Sequence, residues 1–205
     1  MRIICFGDSN TYGYDPRDPL GGRYDAKNRW VEILAAQTGW QVRNRGENGR
    51  QIPHRLGTVE QAVRMLRANG HVDALVVMLG TNDILQGASA EDAAERMDAF
   101  LEQVLPLCGR VLLVAPTMDS GEWVTQNQIR ENGRLGAALA ALASRRGMAF
   151  ADASSWPVEL AFDGVHLTEA GHRCFAEKIL EVLQALLPER GECVWDDSAK
   201  KYSCS

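Results

Sequence analysis

Five short runs of apolar and β-branched residues recur along the chain: Arg2–Phe6, Gln41–Arg45, Ala74–Leu79, Arg110–Ala115 and Met148–Ala151. Each has the length of a strand. Leu75-Val76-Val77-Met78-Leu79 does not alternate with polar residues, which is the pattern of a strand buried on both faces. Between the runs, apolar positions return at helical spacing over Trp30–Thr38, Thr58–Ala68, Ala90–Leu107 and Gln128–Arg145, and a last helix is expected from about Thr168 to Leu187. Gly39, Gly70 and Gly147 stand where glycine ends a helix, and Thr168-Glu169 fits a helix start. Small residues across Leu135–Leu142 suggest a helix lying close against the sheet. Strands alternating with helices predict βαβ crossovers and a five-stranded parallel sheet covered on both faces, an α/β/α sandwich of three layers. Loops leaving the carboxyl ends of such strands gather at one edge, where ligands bind.

At 205 residues, 45% hydrophobic and 24% charged, the chain is an ordinary globular domain, read as residues 1–188 with a peripheral tail over 189–205. A net charge of −5, with basic residues scattered among acidic ones, gives no footprint for nucleic acid or an anionic membrane. Ile3-Ile4-Cys5-Phe6 is too short for a leader's apolar region, and no stretch approaches the length of a membrane span. Five cysteines form an odd set without C-x-x-C spacing. Three of them fall within apolar periodic segments, as free buried thiols do, so a cytoplasmic, reducing compartment is expected.

Four separated segments carry candidate chemistry: Gly7-Asp8-Ser9, Asn44-Arg45-Gly46-Glu47-Asn48-Gly49, Gly80-Thr81-Asn82-Asp83 and Asp163-Gly164-Val165-His166. Each follows a strand or lies beyond the last, at the edge where sites form. A serine hydroxyl needs a neighbouring base before it attacks a carbonyl at neutral pH. Asp163 and His166, three residues apart, can lie side by side so that the carboxylate orients the imidazole towards Ser9. The Ser9 and Gly49 amides and the Asn82 side chain can donate to a developing oxyanion. Taken alone, Asp8-Ser9-Asn10 is more often turn and cap chemistry, Gly49 a turn residue and Asn82 a loop or cap residue. Asp83 is expected to hold its own loop. His71 and His172 offer less, and there is no H-E-x-x-H or Cys/His metal spacing, so neither metal nor cofactor is expected. The chain lacks the G-x-S-x-G elbow of α/β-hydrolases and the glycine-rich signatures of nucleotide binders.

Together the four segments closely resemble the four sequence blocks of the SGNH hydrolase superfamily, the GDSL lipase/esterase family. Gly7-Asp8-Ser9-Asn10 matches the first block, with Asn10 where the family name's Leu would stand. Gly49 matches the glycine block, Gly80-Thr81-Asn82-Asp83 the G-x-N-D block, and Asp163-Gly164-Val165-His166 the D-x-x-H block. The resemblance spans about residues 2–187 and implies a flavodoxin-like fold, a Ser9–His166–Asp163 triad, and an oxyanion hole from Ser9, Gly49 and Asn82. The opening Cys-Phe-Gly-Asp-Ser-Asn-Thr-Tyr-Gly-Tyr, with Arg29-Trp30, looks most like the bacterial arylesterase and acyltransferase branch, whose members often carry Trp near the position of Tyr12.

The expected function is hydrolysis of a small carboxylic ester through an acyl-enzyme. Tyr12, Tyr14, His54 and Trp123 are candidates to line the substrate cleft, and the loop Asp15–Asn28 is a candidate wall. The expected partner is a small-molecule ester, with homo-oligomerisation left open. A carbohydrate O-deacetylase or an acyltransferase would use the same residues. A non-catalytic ligand-binding module on the same scaffold is the alternative of another class, and it expects an incomplete site.

Overall fold

The computed structural model describes residues 1–18 and 20–187, together with 194–196 and 201–203. Five parallel strands form one sheet: β1 (Arg2–Gly7), β2 (Gln41–Gly46), β3 (Ala74–Met78), β4 (Arg110–Ala115) and β5 (Ala149–Asp152). Their spatial order is β2-β1-β3-β4-β5. The chain runs outward from β1 to one edge, then returns past it to build the other half, so the order reverses between β1 and β3. Crevices at such a reversal are where open α/β sheets place ligands.

Helices α2 (Trp30–Thr38) and α7 (Glu169–Leu186) cover one face of the sheet. Helices α3 (Leu56–Ala68), α5 (Ala90–Val104) and α6 (Gln126–Arg146) cover the other. Period-two geometry divides each central strand between two cores. Ile3, Cys5, Val76 and Met78 pack with Trp30, Leu34, Phe175 and Ile179, whereas Ile4, Phe6, Leu75 and Val77 pack with Met97, Phe100, Leu135 and Leu139. All five residues of β3 are buried, which explains its lack of polar alternation. β2 departs from the expectation of a sheet covered on both faces. It is an edge strand, and Gln41, Arg43 and Arg45 on its uncovered side are exposed.

Helix boundaries moved where local chemistry overrides periodicity. α6 begins at Gln126 because Thr125 accepts from the Gln128 amide at 3.3 Å while the Gln128 side chain accepts from the Thr125 amide at 2.9 Å, a reciprocal cap. The segment read as one helix from Ala90 to Leu107 ends as α-helix at Val104 and finishes as a 3-10 turn over Leu105–Leu107, where Pro106 has no amide to donate. Two short helices that periodicity did not reveal, α1 (Ser9–Tyr12) and α4 (Thr81–Leu85), each follow a central strand. Leu135 and Leu139 of α6 pack into the core, and Gly136 lies over Ala115 of β4, the close approach its small residues suggested. Two short antiparallel strands, Val194–Asp196 and Lys201–Ser203, fall within the expected tail, the rest of which lies outside the described residues. No helix among the described residues is long and apolar enough to cross a membrane.

Candidate active site

Ser9 is the first residue of α1, directly beyond β1. The preceding Asp8 caps this helix: its Oδ1 accepts the Asn10 amide at 3.0 Å. Gly13, in a left-handed conformation, ends the helix after one turn with its amide donating to the Ser9 carbonyl. The Ser9 side chain is therefore held by a strand on one side and a closed turn on the other. Asn10 completes the clamp across the molecule. Its Nδ2 donates to the Val165 carbonyl at 2.9 Å and its Oδ1 accepts the Leu167 amide at 2.9 Å. One buried side chain thus fastens the serine turn to a segment more than 150 positions away.

That segment carries Asp163 and His166. Asp163 is fully buried; its Oδ1 accepts the amides of Val165 and His166, both at 2.9 Å. Its Oδ2 lies 2.6 Å from His166 Nδ1, and His166 Nε2 lies 2.9 Å from Ser9 Oγ. Burial pushes the Asp163 carboxyl up, but hydrogen bonds from the His166 ring and from the His166 and Val165 amides, with the imidazole's charge, outweigh it and hold the group below its ordinary value. The carboxylate accordingly stays ionised, Nδ1 donates to it, and Nε2 is left to accept the serine proton. Gly164 makes this turn feasible. It has φ of 76°, and a side chain there would stand 2.3 Å from the Asp119 carbonyl of the loop packed against it. This loop adds the Trp123 amide to the Asp163 carbonyl at 3.2 Å and so carries Trp123 over the imidazole.

Gly49 and Asn82 approach Ser9 from the other side. After β2 the chain turns through Glu47–Arg50, with Gly49 at φ 73°, and the Arg50 guanidinium donates to the Gly7 carbonyl at 2.8 Å, tying this turn to the end of β1. Asn82 lies one residue into α4, and its Nδ2 donates to the Arg50 carbonyl at 3.0 Å, which fixes the amide plane. The next side chain points away. Asp83, fully buried, accepts the Ile52 amide and an Arg96 guanidinium N–H, both at 2.9 Å, and so holds the same two loops together from behind. That is the structural task expected of it.

Ser9, Gly49, Asn82 and His166 line one cavity of about 260 Å³, with Tyr14, Asn48, Leu85, Trp123 and Val165. The Tyr14 ring centroid stands 4.6 Å from that of His166, and Trp123 meets the imidazole edge-on at 5.6 Å. Two expected lining residues are not there. Tyr12 lies outside this cavity, its ring stacked 4.4 Å beneath the Arg23 guanidinium; it closes α1, whereas Tyr14 lies beyond the left-handed Gly13, in extended backbone bridged to Arg23, and faces the imidazole. His54 lines a neighbouring cavity instead, its Nδ1 2.9 Å from the Ile52 carbonyl. The loop Asp15–Asn28 is likewise no wall of this cavity among the described residues; Arg17–Glu169 and Arg23–Glu32 ion pairs hold it towards α7 and α2. His71 sits exposed beside Asp73 at the opposite end of the sheet, and His172 is buried in α7.

Asp8, whose sequence context reads as turn and cap chemistry, does cap α1, but its buried ionisation is not visible in sequence. It is buried, and burial raises its carboxyl to about 6, against the pull of the Asn10 amide, the His166 charge, the Thr81 hydroxyl and Arg50. Asn10, read from sequence as turn chemistry and as a motif position, instead spans to the Val165–Leu167 backbone. The signal for both was their adjacency to Ser9, but their partners are invisible in sequence.

The sequence profile of the GDSL-like lipase/acylhydrolase family matches residues 5–174. The chain belongs to this family. A GDSL lipase of Mycobacterium tuberculosis is 32% identical over 196 residues, covering 88% of this chain and 80% of the relative. Among solved structures, the aryl esterase of M. smegmatis superposes with a TM-score of 0.81 at 27% identity, covering 91% of this chain and 99% of that one. A carbohydrate acetylesterase from Sinorhizobium meliloti shares the fold, with a TM-score of 0.80 at 24% identity over 91% and 100% of the two chains. This GDSL-family chain is therefore a serine hydrolase of ester bonds in the SGNH superfamily, which sets aside the reading as a non-catalytic module.

Proposed function

We propose that the protein hydrolyses small carboxylic esters, short-acyl or aryl, through an acyl-enzyme formed on Ser9. The observation that carries the reading is the continuous chain of hydrogen bonds from Asp163 Oδ2 through His166 to Ser9 Oγ, opening into the cavity that Gly49 and Asn82 share. In this mechanism Nε2 takes the Ser9 proton as Oγ attacks the ester carbonyl. Asp163 stabilises the imidazolium and keeps its tautomer. The carbonyl oxygen becomes an oxyanion that accepts from the Ser9 and Gly49 amides and from Asn82, donors already fixed before substrate arrives. His166 then protonates the departing alkoxide, and the C–O bond to the alcohol breaks. A water deprotonated by the same nitrogen attacks the acyl-serine and releases the acid with Ser9 regenerated.

Substrate class follows from the walls. A cavity of 260 Å³ with Tyr14 and Trp123 beside the base suits a small group, and the two rings suit an aromatic leaving alcohol. Intact mass after exposure to a fluorophosphonate probe, with the labelled peptide mapped, tests the assignment. One adduct on the peptide holding Ser9, lost in Ser9→Ala together with 4-nitrophenyl acetate hydrolysis, is expected. Labelling elsewhere, or undiminished hydrolysis by the variant, refutes it.

A further inference from the structure

We propose that the cavity beyond Gly49 is a second substrate subsite, and that it takes an acyl chain ending in an anionic group, so that the favoured ester is a half-ester of a dicarboxylic acid. This inference rests on the esterase reading above. The cavity has a volume of about 520 Å³, twice that around the triad, and Gly49 lines both. Gly49 is exposed and a side chain there would meet nothing within 4 Å, so no neighbouring group crowds the residue that the two cavities share.

Direction is set by the base. His166 must reach the leaving oxygen, and His166, Tyr14 and Trp123 line the triad cavity but not its neighbour. The alcohol therefore departs on their side. The acyl substituent on the same carbon lies on the side away from the departing alcohol, and in the proposed subsite it is seated in the neighbouring cavity.

What it meets there is apolar below and cationic above. Phe6, Ile52 and Ala62 are buried and give a floor for methylenes, with Met65 half-buried beside them. The charged lining residues are Arg45, Glu47, Arg50 and Arg55. Glu47 is already held by Arg50 at 2.6 Å, and Arg50 also donates to the Gly7 and Arg45 carbonyls while its guanidinium lies 4.3 Å above the Phe6 ring. That pair neutralises itself. Arg45, on the uncovered side of the edge strand, and Arg55, before α3, are left as exposed cations, in a chain whose net charge is −5. Planar guanidinium groups above an apolar trough match a carboxylate at the end of a short alkyl chain.

The test compares 4-nitrophenyl hydrogen adipate with 4-nitrophenyl methyl adipate, two esters of one chain that differ in terminal charge. The native protein is expected to favour the acid in kcat/KM by about five- to tenfold at low salt, with the preference shrinking as potassium chloride is added. In an Arg45→Gln, Arg55→Gln double variant the ratio falls to about one, and in Arg55→Gln alone it falls part-way; circular dichroism checks both folds. A native ratio at or below one, with the methyl ester turned over, overturns the subsite and leaves the esterase standing. So does a ratio unchanged in the double variant. Failure of the native protein to hydrolyse either ester or 4-nitrophenyl acetate overturns the esterase reading, and the subsite with it.

Discussion

The two cavities that meet at Gly49 are built on opposite principles. Around Ser9 the reactive groups are buried and cross-tied: Ser9, Asp163 and His166 are each at most 7% exposed. Asn10 bonds the Ser9 turn to the Val165–Leu167 backbone, and Asn82 bonds its own loop to the turn that holds Gly49. Beyond Gly49, Arg45 and Arg55 are exposed and stand on an edge strand and a loop. Charge that develops in a transition state has to be met by dipoles that do not reorganise. A charge already present on the substrate can be met by long side chains that adapt. Rigidity therefore concentrates where bonds change, and variability is tolerated where substrates are chosen.

The sharpest way to break this contrast is at Asn82. Asn82→Ala removes the proposed oxyanion donor and the bond to the Arg50 carbonyl, so kcat for 4-nitrophenyl acetate is expected to fall about 10²–10³-fold with little change in KM. A rise in KM with kcat unchanged would mean that the amide only binds substrate.

The second test uses Asp8. Its carboxyl is raised to about 6, so between pH 4 and 6 the folded protein keeps a proton that the unfolded chain has released. Stability is therefore expected to fall as pH rises through that window, by up to about 3 kcal/mol from this group. Asp8→Asn keeps an oxygen for the Asn10 amide and removes the ionisation. Urea unfolding across pH 4–7 should show a variant that gains on the native protein as pH rises; parallel curves would mean that Asp8 is charged in the folded state throughout. His172 acts in the opposite sense. Burial foremost, with the charges of His166 and Arg29, lowers it to about 3, so its contribution is complete above about pH 6.5 and is lost as the pH falls below that value. Both proteins carry His172, and the comparison cancels it.

The smallest expected difference is between matched polar truncations in the two regions. Asn10→Ala leaves the Val165 carbonyl and the Leu167 amide without their buried partner, and should destabilise by about 2 kcal/mol. Arg55→Gln at the exposed rim should stay within about 0.5 kcal/mol. Equal losses in denaturant melts would erase the distinction drawn here.

The strands, the parallel three-layer architecture and the order of the four segments were legible in sequence, because burial on both faces and helical spacing leave a periodic trace. Trp30–Thr38 and Arg110–Ala115 occur with the boundaries their apolar patterns gave. The short helices α1 and α4 were not legible, since one turn is too brief for periodicity. The lining residues were legible only in part: Tyr14 and Trp123 line the triad cavity, Tyr12 and His54 do not. Tyr12 and Tyr14 are two positions apart in similar surroundings, and only the end of α1 at the left-handed Gly13 sends one beneath Arg23 and the other against His166.

By itself, the sequence determined which groups were available for chemistry and on which edge of a parallel sheet they would emerge, because strand burial and strand direction are local properties of the chain. Only the tertiary structure decided that Asn10 would fasten the first segment to the last, that burial would raise Asp8, and that two cavities would share Gly49 as their common wall. Those outcomes depend on distances between residues far apart in sequence and on how much water is excluded between them. No linear pattern encodes either quantity.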